Sequence, residues 1–134
     1  MKGVYVLFLH VPFSLSMSVG GLGPIQFSSG YYAYVGSALG GLEQRVGRHL
    51  SDKKKLHWHI DYLLLRARLV DVVAATTEER KECAVARKLA EKLKSVPGFG
   101  SSDCGCDSHL FFHPDFHELL REVLQVFKSE GLKP

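Results

Sequence analysis

The polar and apolar positions alternate with period two over the first third of the chain and take on a helical period afterwards. From Gly3 to His10 nearly every position is apolar, with Val4, Val6 and Phe8 toward one side and Tyr5, Leu7 and Leu9 toward the other. A strand apolar on both sides belongs in the middle of a sheet with a layer over each face. Tyr5 shares its side with two leucines, so its hydroxyl must find a partner there. Ser14 to Val19 alternates serine with Leu15, Met17 and Val19, the pattern of a half-exposed edge strand. Gly20, Gly21, Gly23 and Pro24 mark a turn, after which Ile25 to Phe27 can pair back. Tyr31 to Val35 is an aromatic and β-branched run that reads as a strand. Tyr32 and Tyr34 point one way, Tyr31, Ala33 and Val35 the other.

The period then changes. Leu42, Val46 and Leu50 recur every fourth residue and predict a helix starting near Leu42. Leu56, Ile60, Leu63 and Leu64 have helical spacing, and Arg68 to Ala75 reads as a strand. Thr76 or Thr77 is expected to cap a helix running to about Ser95, with Cys83, Val85, Ala86, Leu89, Ala90 and Leu93 as its buried stripe. Pro97 to Ser108 has loop composition, and His109 to His113 reads as a short strand. Pro114 opens a final helix, Asp115 to Lys128, which Gly131 ends. The predicted class is α+β, with a small, mainly antiparallel central sheet flanked by helices.

A chain of 134 residues is expected to be one domain, residues 1–134, large enough to bury a core without staples. No apolar stretch approaches the ~20 residues of a membrane span. No leader pattern is apparent at Met1-Lys2-Gly3. Three cysteines, an odd number, argue against a disulfide framework. The expected compartment is the cytoplasm, with no membrane partner. The net charge of +3 matters less than its placement. Arg45, Arg48, His49, Lys53, Lys54 and Lys55 fall within eleven positions and could neutralise several phosphates.

Candidate chemistry gathers beside that basic run. Arg45 and His49 are four residues apart on one helix, which puts their Cβ atoms about 5–6 Å apart on one face. The helix follows the tyrosine strand through a tight turn, so tyrosine, arginine and histidine converge at the strand end. Ser37 lies in that turn, where it can cap the helix or bind an oxyanion. His57, His59 and Asp61 resemble a metal set in composition, but on a helix the two histidines lie on different sides. Contact with a phosphate backbone, or orientation of Arg45 and His49, is the role expected of His57, His59 and Asp61. Glu82 sits at the edge of an apolar stripe and reads either as a solvated carboxylate or as a ligand. Cys104, Cys106 and His109 give three donors to a zinc ion, with Asp103 or Asp107 as a fourth; the other reading is a loop with reduced thiols.

The Gly3-Val4-Tyr5 strand start, Tyr34-Val35-Gly36 and the following helix with Arg45 and His49 resemble the GIY-YIG nuclease superfamily. The segments GYYAYVGSALGGL, HWHIDYLL and FGSSDCGCDSHLF further resemble a prokaryotic branch of it, in some members of which the domain is fused to an endonuclease III-like DNA glycosylase. The resemblance implies a metal-dependent endonuclease acting on DNA, in repair or processing, with Mg²⁺ or Mn²⁺ as cofactor. RNA remains open as a substrate, and a DNA-repair glycosylase is an implied partner. Tyr34 would help deprotonate an attacking water, and Tyr5 would support that water or the metal. Arg45 would hold the scissile phosphate and His49 would share proton handling. A glutamate on the helix after the third strand would bind the cation, and Glu82 is the candidate. Two other readings compete: a catalytically silent nucleic-acid-binding module of the same fold, and a zinc-stabilised interaction domain built on Cys104, Cys106 and His109.

Overall fold

The computed structural model describes residues 1–51, 55–102 and 104–134. Its centre is β1 (Gly3–Val11), the strand apolar on both sides. β1 pairs antiparallel along its whole length with β4 (Gly30–Ala38), from Gly3 opposite Ala38 to Val11 opposite Gly30. On its other edge β1 pairs antiparallel with β5 (Arg68–Thr76), with a register shift between Phe8 and Leu9. β7 (Leu110–His113) joins the far edge of β4, and the two-residue β6 (Lys94–Ser95) joins β7. The sheet order is β5-β1-β4-β7-β6, every pair antiparallel. β2 (Leu15–Ser18) and β3 (Pro24–Phe27) form a separate hairpin, with a 3-10 turn, Gly20–Leu22, between them. The class is therefore α+β, as the patterning implied.

Each sheet face has its own core. Val4, Val6 and Phe8 join Ala33, Val35 and Phe111 under α3 (Glu82–Ala90) and α4 (Phe116–Ser129), which contribute Val85, Leu89, Leu119, Val123 and Phe127. On the opposite face Tyr5, Leu7 and Leu9 join Tyr32, Tyr34 and Leu110. That face is covered by α1 (Leu42–Leu50), α2 (His59–Leu63), Phe99 and the β2–β3 hairpin. α4 starts as its sequence requires: the Asp115 carboxylate accepts from the His117 N–H at 2.9 Å. No helix among the described residues is long and apolar enough to cross a membrane.

Four expectations need correction. Ser37, expected in the turn where it could cap α1, lies inside β4, and Gly41 stands at the N-cap with no side-chain cap. The helix expected from Thr76 or Thr77 begins only at Glu82, because the Thr77 hydroxyl is used in a local turn, accepting from the Glu79 N–H. It ends at Ala90, and Lys94–Ser95 adds a strand to the sheet instead. The helical spacing from Leu56 to Leu65 yields a helix only over His59–Leu63. There the buried Asp61 carboxylate accepts from the backbone N–H groups of His57 and Trp58, each at 2.8 Å, and fixes the start.

Candidate active site

β4 runs past the start of β7. Its pairing with β7 covers Tyr31 to Tyr34, and the Val35 N–H then donates to the His109 carbonyl at 2.9 Å. Beyond that point the free edge of β4, Val35 to Ser37, opens into a cleft of about 300 Å³. Tyr5, Tyr34, Arg45, Trp58 and Glu82 also line it, and Cys83, Cys104 and His109 form another part of its wall.

The two tyrosines reach the cleft from adjacent strands. Tyr5 lies opposite Gly36 in the β1–β4 register, and its ring packs onto that glycine. A Cβ on residue 36 would sit 2.3 Å from both Cζ and the hydroxyl oxygen of Tyr5, so only glycine leaves room. Tyr34, diagonal to Tyr5 on the same face, has its ring centroid 6.5 Å away. Gly100 approaches the other side of the Tyr34 ring with φ +73°, a conformation that favours glycine.

α1 delivers its side chains over this pair. His49 is buried, with Nε2 2.7 Å from the Tyr5 hydroxyl oxygen. Burial raises the Tyr5 pKa to about 12, against the opposing pull of the Arg45 guanidinium. Arg45 donates from Nη1 to the Ser37 carbonyl at 3.1 Å, and its Cζ lies 4.5 Å from the centroid of the Trp58 ring. Trp58 is also 5.9 Å from His49, centroid to centroid. Sequence reading gave Trp58 no role at the site. No periodic signal could have supplied one, since it lies just outside α2.

Arg48 does something else. Its guanidinium grips Asp61 through two hydrogen bonds, at 2.9 and 3.0 Å, and donates to the Lys55 carbonyl. It also lies over the Trp58 ring at 4.1 Å. Burial would raise the Asp61 pKa, but Arg48 and the two backbone N–H groups together hold it below the usual carboxylate value. Arg48 is thus a structural clamp rather than an open phosphate contact. The His59 imidazole, expected at phosphate, instead accepts the Gly100 N–H on Nδ1 at 2.8 Å, and burial lowers its pKa. Lys55 and His57 are exposed, and the His57 ring lies 5.4 Å from that of Trp58, centroid to centroid. Lys53 and Lys54 lie outside the described residues. The exposed Arg80 lines the cleft, a cation that sequence reading placed in a helix.

Glu82, the first residue of α3, contributes a carboxylate. Its Oε2 is buried and accepts no hydrogen bond from any described residue. A buried carboxylate oxygen left without a donor is costly unless a cation takes its place. The donor chemistry therefore fits a hard divalent ion such as Mg²⁺ or Mn²⁺, which prefers oxygen ligands.

Beside it lies a second donor set. Cys83, Cys104, Cys106 and His109 bring one ligand atom each within 4.8 Å of all the others. The structure thus holds a possible metal-binding cluster. Burial, then the neighbouring thiols, pushes the Cys83 thiol well above its ordinary pKa, and burial also raises that of Cys106. Cys83 was expected inside the α3 core stripe; it faces the cysteine loop instead and offers a fourth donor beside Cys104, Cys106 and His109. Asp103 lies outside the described residues.

A family model describing a domain of unknown function, DUF123, matches residues 4–132. The chain belongs to the DUF123 family. No curated protein and no solved structure matches it. Within this DUF123 domain, then, the chemistry must be argued from the cleft itself.

Proposed function

We propose that this DUF123 protein is a divalent-metal-dependent endonuclease that hydrolyses phosphodiester bonds in DNA, in repair or processing. One observation carries the reading. In a single cleft, two tyrosines and an arginine meet a glutamate whose buried Oε2 has no donor among the described residues. The likeness of Gly3-Val4-Tyr5, Tyr34-Val35-Gly36, Arg45 and His49 to GIY-YIG nucleases supports the same assignment.

The side chains divide the work by their chemistry. Arg45, which donates to Ser37 and lies beside the Tyr5 hydroxyl, has a five-donor fork that can also grip a phosphate without losing charge. Trp58 holds the guanidinium plane in place. Tyr5, with a pKa near 12, keeps its proton at neutral pH and acts as a neutral hydrogen-bonding partner of His49. Tyr34 takes the proton of the attacking water as its phenolate, after its own phenol proton has passed to solvent, and the nearby positive charge favours that form. A Mg²⁺ or Mn²⁺ ion on Glu82 would supply Lewis-acid charge at the phosphate. Lys55, His57 and Arg80 offer exposed donors for the flanking backbone. With its three free thiols, the protein is assigned to the cytoplasm in the same proposal, and a DNA-repair glycosylase remains its proposed partner.

The test is a panel of duplex, branched, abasic-site and RNA oligonucleotides incubated with and without Mg²⁺ or Mn²⁺. Nicking that requires the metal is expected, and Tyr34→Phe and Arg45→Ala should each slow it by on the order of 100- to 1000-fold with unchanged circular dichroism. Binding without cleavage across the whole panel would overturn the proposal in favour of a silent nucleic-acid-binding module.

A further inference from the structure

The long segment between β6 and β7 has little regular structure among its described residues, yet it wraps three potential ligands around one point. Cys104 and Cys106 come from that segment, His109 from its end, and Cys83 from the first turn of α3. Segments of this length inside a compact fold usually carry a function or a staple. The sulfur of Cys104 lies 3.4 Å, and that of Cys83 3.9 Å, from His109 Nε2. All four donor atoms lie within 4.8 Å of one another. A tetrahedron with Zn–S near 2.3 Å and Zn–N near 2.0–2.1 Å needs donor separations of about 3.5–3.8 Å, so small side-chain adjustments close the site.

The histidine is already aimed. His109 is 4% exposed, and its Nδ1 lies 3.0 Å from the Val35 carbonyl oxygen. A carbonyl can only accept, so Nδ1 carries the proton and Nε2 presents its lone pair to the three sulfurs. This is the support that metal-binding histidines almost always have. The three cysteines are free thiols and form no disulfide.

From this geometry we infer that Cys83, Cys104, Cys106 and His109 bind one structural Zn²⁺ ion. Three thiolates and an imidazole are a soft set that selects zinc over the oxygen-seeking Mg²⁺ or Mn²⁺. Four protein donors close the coordination sphere, which is the mark of a structural rather than a catalytic zinc. A multi-iron cluster needs its cysteines spread over several metal atoms, wider than this set. Binding releases the three thiol protons and pins the cysteine loop to α3 and, through Val35, to the end of β4. The inference stands apart from the nuclease proposal, because zinc content reads out whether or not nucleic acid is cut.

The experiment uses the full chain purified under reducing conditions. Elemental analysis after gel filtration should find one zinc per chain. Substitution with Co²⁺ should give the intense visible bands of a tetrahedral site together with thiolate-to-cobalt charge-transfer absorption. Alkylation followed by mass spectrometry should modify none of the three cysteines in the zinc form and all three after chelation. Cys83→Ser should weaken zinc binding by more than the roughly 10- to 100-fold that losing a supporting hydrogen bond costs. If that variant fails to fold, the cobalt spectrum and the alkylation count of the wild type still decide. Reconstituted wild-type protein that holds no stoichiometric zinc, or keeps its cysteines open to alkylation with zinc present, overturns the assignment. So does zinc binding that Cys83→Ser leaves unchanged.

Discussion

Glu82 and Cys83 are neighbours in the chain, yet they face two different kinds of chemistry. Glu82 turns toward the tyrosines and arginine of the cleft, where a hard oxygen donor belongs. Cys83 turns toward two more thiols and an imidazole, a soft set. Consecutive residues on a helix are about 100° apart, so one short stretch of α3 can serve both walls at once. The hard side is open, with the exposed Arg80 at its rim and Glu82 Oε2 lacking a donor among the described residues. The soft side is closed, with four donors converging and the histidine locked by a backbone carbonyl. An open set suits a reaction and a closed set suits a staple. The soft side would then hold the helix that presents Glu82.

The sharpest way to break this contrast is to exchange each donor separately. Glu82→Gln should lower metal-dependent cleavage by on the order of 100-fold or more, while zinc content stays at one per chain. Its unfolding temperature should hold or rise, because the negative charge behind the buried, donorless Oε2 is removed. Cys83→Ser should do the reverse, losing zinc and thermal stability first. A Glu82→Gln variant that cuts at the wild-type rate would remove the hard side from the comparison.

Next in size are the supports of the hard side. Asp61→Asn breaks the two-bond clamp on Arg48 and weakens the acceptor for two backbone N–H groups. Destabilisation of about 3 kcal/mol is expected, the low end for a buried pair because Arg48 is 27% exposed and can turn to water. The pair also sets an acid limb. Since the folded carboxyl lies below its unfolded value of about 3.9, its contribution is complete above that pH and is lost as pH falls through the folded value. Urea midpoints measured from pH 6 down to pH 2.5 should therefore fall less steeply in Asp61→Asn than in the wild type. Identical slopes would mean that Asp61 is not the group responsible.

Gly36→Ala should act more locally. The new methyl has no room against the Tyr5 ring, so Tyr5 must shift and its contact with His49 must stretch. Overpacking of this kind costs about 1–3 kcal/mol. Urea unfolding should register that loss, and cleavage should slow while zinc content is unaffected. Wild-type stability in this variant would show that the β1–β4 pairing yields more easily than the fit of Tyr5 on Gly36 implies.

What the sequence made legible follows from where the determining contacts lie. The two-sided apolar pattern of Val4 to Leu9 fixed the central strand and both cores, because burial on each face is written residue by residue. Tyr34, Arg45 and His49 could be brought together on paper because one turn joins their strand and helix, whereas Tyr5, on β1, was reached only through the resemblance. The fates of Arg48 and His59 were not legible. Their partners, Asp61 and Gly100, are 13 and 41 residues away, and a charged or imidazole side chain looks alike in sequence whether it faces water or a buried acceptor. Cys83 was hidden for a related reason. A half-buried thiol on an amphipathic helix reads as a small apolar residue, and only the folded loop brings Cys104, Cys106 and His109 to it.

The smallest expected effect concerns the strut between the two walls. The Gly100 N–H donates to His59 Nδ1, and Gly100 itself packs on Tyr34 from the hard side and on the Cβ of His109 from the soft side. Burial lowers the His59 pKa, so the folded state favours the neutral ring that can accept this bond. Its contribution is complete above the unfolded value of about 6.5 and is lost as pH falls toward the folded value. The bond is worth at most about 1 kcal/mol, since the imidazole is only partly shielded from solvent. Comparing unfolding temperatures from pH 7.5 to pH 5 in the wild type and in His59→Gln should show the wild-type advantage shrinking across that range. An advantage that grows on acidification would mean that His59 is charged in the folded state and that some other contact holds the cysteine loop against the tyrosines.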